Sequence, residues 1–285
     1  MEAFHRAVLL CHCCKLQPSI QGWRPMAKPA ADRSNDKNPN TFRDHAAMKI
    51  DCIIKSGGIA PTDFSGIFVR IGAIIDVMSV AEPLLARPNW RMKGYTLEEA
   101  QARAVYAVDS GVNRTRLAEL EDEYRGKDVS SIGIWLDGRR EGLGASIEIM
   151  ACGGTFPDTV SVDARGVFLD RKNIVASIVA RSAQEFAPMA ITAAPGDYEA
   201  QQAFDDRPGV GWMLYLPVEL TAQQIPEARE LIPVVSADGG RRLGTIIVSI
   251  KDEPFSIDNE AHLVAAHDIE VRLISMDLLP RFTDI

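Results

Sequence analysis

The stretch "SIGIWLDGRREGLGASIEIMACGGTFPDTVSVDA", residues 131–164, decides the fold class. It holds three strand-like runs, "SIGIWLD" (131–137), "ASIEIMAC" (145–152) and "TVSVDA" (159–164). The segments between them, "DGRREGLG" and "GGTFPD", are rich in Gly, Asp and Pro, which is turn chemistry. Strands joined by such short turns pair antiparallel, so the stretch reads as a meander.

Working outward, "MKIDCIIK" (48–55) is a further strand. In "PTDFSGIFVRIGAIIDVMSV" (61–80), Phe64, Phe68, Ile71, Ile75 and Met78 recur at three-to-four spacing, a helix that Thr62 or Asp63 is placed to cap. "TLEEAQARAVYAV" (96–108) opens with a capping box, Thr96 with Glu99 three residues on, and "RTRLAELEDEY" (114–124) is a short helix. Downstream, "NIVASIVARSAQEF" (173–186) is an amphipathic helix, followed by strands at "MAITAA" (189–194) and "VGWMLYLP" (210–217). In the latter, Trp212, Leu214 and Leu216 alternate with Met213 and Tyr215; both faces are apolar, as in a central strand covered on two sides. A hairpin folds at Asp238-Gly239-Gly240, and a last helix is expected from about Asp258 to Leu279, stopped by Pro280. Strands with helices between them, lacking regular βαβ alternation, predict an α+β fold with a mainly antiparallel sheet and helices on its faces.

Domain organisation follows from composition. Residues 1–47 end in "PAADRSNDKNPNTFRDHAA", poor in apolar side chains, and are expected to be a disordered or non-native extension; Met48 is the expected start of one folded domain, 48–285. No stretch approaches the roughly 20 apolar residues of a membrane span, and "AVLL" is too short for a secretory signal, so a cytoplasmic protein is expected. The chain carries 31 basic and 39 acidic residues; the first 47 hold seven basic and four acidic, which leaves 24 against 35, a body of −11. That disfavours direct nucleic-acid binding and suits a basic partner, although solubility alone also accounts for it.

Each candidate site in the sequence also has a plainer role. "DEPFSIDNEAHLVAAHDIE" (252–270) concentrates carboxylates and two histidines, but His262 and His267 lie five apart, roughly 140° around a helix, whereas a zinc helix spaces them four apart. Its acids read instead as helix-start residues, with Ser256 or Asp258 as caps. "CHCC" (11–14) lacks the second ligand pair of a structural zinc site. Cys152 before Gly153-Gly154 reads as a buried strand cysteine, and Cys52 and Cys152 as reduced core thiols. No G-x-S-x-G or phosphate-binding glycine motif is present. The sequence therefore suggests no catalytic residue, metal or cofactor. One segment has the composition of a protein-binding surface: "PGDYEAQQAFDDRPG" (195–209) sets Asp197, Glu199, Asp205 and Asp206 beside the aromatics Tyr198 and Phe204.

Four blocks in order, "SIGIWLDG", "LGASIEIMACGGTFPDTVSVD", "PGVGWMLYLP" and "GGRRLGTIIVSIKDEPFSIDNEAHLVAAHDIEVRLISMDLLP", resemble the immunity protein 52 family of bacterial polymorphic-toxin systems over Lys49 to Pro280. The resemblance implies a non-enzymatic intracellular inhibitor of a cognate toxin. Such toxins are often delivered by type VI secretion and commonly have a restriction-endonuclease-like nuclease fold. It would act by docking an acidic, aromatic-bearing surface on the toxin's basic cleft. The resemblance transfers no interface residue, implies no membrane, and leaves self-association open. Two other readings stand beside it: a hydrolase with Asp, Glu and His gathered by folding, and an adaptor protein of the secretion machinery.

Overall fold

Alternate residues of Met48–Ile54 (β1) are buried, as a strand with one covered and one half-open face requires. In the computed structural model, which describes residues 47–285 other than 108, 110 and 139, this strand lies at the centre of a nine-stranded sheet. The expected extension over residues 1–47, with its "CHCC" cluster, lies outside the described residues but for Ala47. The other strands are β2 (Trp90–Met92), β3 (Ser130–Leu136), β4 (Gly144–Ala151), β5 (Asp158–Arg165), β6 (Ala190–Pro195), β7 (Met213–Leu216), β8 (Glu230–Val235) and β9 (Arg242–Val248). Their order is β2-β3-β4-β5-β1-β6-β7-β9-β8, and every neighbouring pair is antiparallel. The meander β3-β4-β5 is as expected, and the fold is α+β. What the meander alone did not show is that β1, first in the chain, joins its last strand to β6.

The helices are α1 (Phe64–Ala81), α2 (Leu97–Ala102), α3 (Arg114–Glu123), α4 (Lys172–Phe186) and α5 (Glu260–Ser275). Asp63 caps α1 by accepting the Gly66 N–H at 2.9 Å. Thr96 Oγ1 accepts the Glu99 N–H at 3.1 Å, and the Glu99 carboxylate reaches back to the Tyr95 N–H at 3.0 Å. Helix α2 stops at Ala102, short of the expected run, because residues 103–105 hydrogen-bond to the outer edge of β2 instead (Met92 N–H to Arg103 O, Val105 N–H to Trp90 O). Strand β2 itself carries too few residues for a periodic signal.

One face of the sheet is covered by α4, which lies against β1, β6, β7, β8 and β9, with α1 packed along it. Phe64, Ile67, Phe68, Ile71, Ile74, Ile75 and Met78 of α1 are buried there. Each such side chain contributes about 1.5–3 kcal/mol relative to exposure. By composition α1 comes closer to a membrane span than expected, with mean hydropathy 1.7 over 18 residues; this core packing accounts for its apolar character. Cys52 points into the same layer toward Ser182 of α4, and burial pushes its thiol up to about 12.

The opposite face is divided. Over β3, β4, β5 and β1 it is half-open and polar: Ser161 Oγ donates to Asp51 Oδ1 at 2.6 Å, Lys49 pairs with Asp51 at 2.8 Å, and Trp135, Glu148 and Asp163 stand in neighbouring rows. At β6 it is covered. Thr192, opposite Asp51 in the register, donates to the Gly209 carbonyl at 2.8 Å, which draws the β6–β7 loop across the sheet. All four residues of β7 are buried, as its two apolar faces predict.

Candidate functional site

The covered side of this second face is built by α5 and the β6–β7 loop. Helix α5 starts at Glu260, two residues later than expected, and its cap is Asn259, whose Oδ1 accepts the Ala261 N–H at 3.0 Å. Ser256 does not cap the helix; its Oγ accepts the Asp258 N–H at 3.2 Å and shapes the turn ahead of it. The helix ends at Ser275 rather than Leu279, because Asp277 adopts a left-handed conformation (φ 55°) and the Asp277 and Leu278 N–H groups turn back to Ile274 O and Leu273 O.

The two histidines serve different segments. His262 is buried; its Nδ1 accepts the Ser256 N–H at 3.0 Å, so Nε2 carries the proton and meets Glu253 Oε1 at 3.1 Å. His267 Nε2 lies 2.7 Å from the Gln201 carbonyl, inside the β6–β7 loop. Among the described residues no group of three or more His, Cys, Asp or Glu side chains is placed to hold a metal ion.

The residue the sequence reading missed is Glu270. Grouped there with the solvated acids of the helix, it is 1% exposed. Its Oε1 accepts the Tyr198 O–H at 2.5 Å and the Val210 N–H at 2.8 Å, and its Oε2 accepts the Ala203 N–H at 2.8 Å. A signal was present: position 270 is four residues after Ala266 and three before Leu273, on the stripe that also buries His262 and Ile269. Three donors offset the cost of taking this carboxylate out of water. Burial and the adjacent Glu270 charge in turn push the Tyr198 phenol well above its ordinary range.

The six residues picked from sequence therefore separate. Asp197, Glu199 and Asp205 are exposed and make no ion pair within 4 Å among the described residues; Glu199 acts at longer range on Lys49 of the half-open face. Phe204 is half-buried. Tyr198 does not belong to the surface: it is 1% exposed, with its ring set edge-on against Phe255 at 5.5 Å and its hydroxyl spent on Glu270. Asp206 is exposed but lies 3.6 Å from both Arg207 and Arg281, and its carbonyl accepts the Phe282 N–H, so it fastens the loop to the C-terminal segment. Three exposed carboxylates, Asp197, Glu199 and Asp205, and the half-buried Phe204 thus remain of the six.

Elsewhere, a shallow concavity of about 320 Å³ is lined by Leu97, Gln101, Trp135, Leu136, Asp137 and Gly138. Its carboxylate is engaged, since Asp137 pairs with Arg91 and accepts from Gln101. Asp163 is pushed upward by burial, with Asp51 and Glu148 adding to it, but it stands on the half-open sheet face and not in a pocket. Cys152 is buried, its N–H donating to Asp158 Oδ1 at 2.7 Å.

No protein-family model matches the sequence, and no curated protein matches it. Among solved structures the chain is similar to a T6SS protein of Pseudomonas aeruginosa, with 12% identity and a TM-score of 0.43 over 79% of this chain and 77% of that one.

Proposed function

We propose that this protein is an immunity protein that binds and neutralises a cognate bacterial toxin, without chemistry of its own. The observation that carries the reading is the β6–β7 loop, where Asp197, Glu199 and Asp205 face solvent with no ion pair within 4 Å among the described residues, on a segment that the buried Glu270 binds through Tyr198, Ala203 and Val210. Unpaired, fixed carboxylates are suited to a basic protein surface, where they steer encounter and set register. The body charge of −11, read from the sequence, acts in the same direction over longer range. With the four-block resemblance, the partner class is a type VI secretion effector with nuclease activity, and the loop would occupy its basic nucleic-acid cleft and exclude substrate. On this reading the protein is cytoplasmic and needs neither metal nor cofactor.

The test is co-expression with the toxin encoded beside its gene. Rescue of growth and a complex on a sizing column are expected; failure of both overturns the reading. Replacing Asp197, Glu199 and Asp205 together by Asn, Gln and Asn should weaken the complex by about tenfold or more and flatten its salt dependence. Asp206 is left intact in this variant because its role is to anchor the loop.

A further inference from the structure

We infer that Glu270 is the positioning residue of this surface: from inside the fold it holds the acidic loop in one conformation, so that a partner meets a pre-formed site. The inference rests on the reading of the loop as the docking surface. Between β6 and β7 the chain leaves the sheet for residues 196–210, with a short 3₁₀ turn, Gly196–Ala200, before Gly211 bridges back to Ala193. Four acids on so short a segment repel one another, and the one cation within it, Arg207, meets only Asp206 among them. Glu270 fastens this segment at three separated points, the hydroxyl of Tyr198 and the N–H groups of Ala203 and Val210.

The choice of a carboxylate at this position follows from acceptor count. Both oxygens are used, Oε1 by Tyr198 and Val210 and Oε2 by Ala203. A glutamine has one acceptor oxygen, and its NH₂ would confront an N–H group across the other contact. A buried negative charge beneath an acidic surface is electrostatically unfavourable, so the arrangement makes sense where loop geometry is what the site requires. A loop ordered in advance spares the complex the entropy of fixing it on binding.

The experiment compares wild type, Glu270→Gln and Tyr198→Phe by residue-resolved amide hydrogen exchange on the isolated full chain, together with affinity for the neighbouring toxin across a salt series. In Glu270→Gln the amides of residues 197–206 and 210 should exchange about tenfold faster or more, while those of β1 and α4 keep wild-type rates. Tyr198→Phe, which leaves both backbone contacts in place, should give a smaller change confined to the first turn of the loop. Toxin affinity should fall in Glu270→Gln with its salt dependence unchanged, because the exposed carboxylates are all retained. Loop amides that exchange at wild-type rates in Glu270→Gln, or a loss of protection spread evenly through β1 and α4, would overturn the proposal. Loop amides that respond as expected in a protein whose wild type binds no toxin would support the positioning role and reject the immunity reading.

Discussion

Asp158 and Glu270 are both buried carboxylates that accept backbone N–H groups, and they differ in what they hold. Asp158, at the start of β5, accepts from Ile59 (2.8 Å) and Cys152 (2.7 Å), tying the β1–α1 connection to the β4–β5 turn. Its partners follow β1 and β4, the two strands that the sheet already pairs with β5 on either side. Glu270 reaches from a helix to a loop 60 to 72 residues away in sequence, where strand pairing holds only the end of the loop, at Gly211, and other ties include side-chain contacts of Thr192, Asp206 and His267. The same chemistry therefore reinforces a structure in one region and creates one in the other.

The largest effect expected is at Glu270. Glu270→Ala leaves two N–H groups and a phenol without an acceptor, and should lower global stability by about 3–5 kcal/mol, read as a fall in urea midpoint. If Asp158→Asn proved the more costly, the contrast between creating and reinforcing would fail. Asp158→Asn keeps one acceptor and should cost about 1–3 kcal/mol, with the hairpin β4–β5 still protected from exchange. A third, smaller effect comes from the other layer, at Cys52. Its thiol is raised from 9.0 to about 12, so the native state favours the protonated form. The resulting stabilisation is whole below pH 9 and fades as pH climbs toward 12. By pH 10 the wild type should lose about 1 kcal/mol that Cys52→Ala does not, as urea titrations at both pH values would reveal. Smallest of all, removing the charges of Asp197, Glu199 and Asp205 should leave the urea midpoint unchanged, because these groups make no ion pair to lose among the described residues. A marked shift there would mean that the loop acids are structural and would erase the distinction from Glu270.

Much of this was legible from local pattern. The α1 stripe from Phe64 to Met78, the Asp63 cap, the Thr96–Glu99 box and the two-faced strand are all short-range signals, and each is present, the strand over Met213–Leu216 within the expected 210–217. The loop 195–209 was legible as acidic and aromatic, but not the division of labour within it. Tyr198 and Phe204 look alike in sequence, yet one is buried against Phe255 and the other half-open. Asp205 and Asp206 are neighbours, yet only the second meets Arg207 and Arg281.

The sequence by itself determined most of the elements, the caps of α1 and α2 and the antiparallel meander, because hydrophobic period, capping and turn chemistry act within a few residues. Tertiary structure alone decided that β1 closes the gap between β5 and β6, and that one half of the second sheet face is roofed while the other stays half-open. It also decided that in one acidic run Glu260 faces water and Glu270 becomes the anchor of a loop. The physical reason is common to all three: the partners are separated by tens of residues, and only burial against them gives a carboxylate or a strand edge its role.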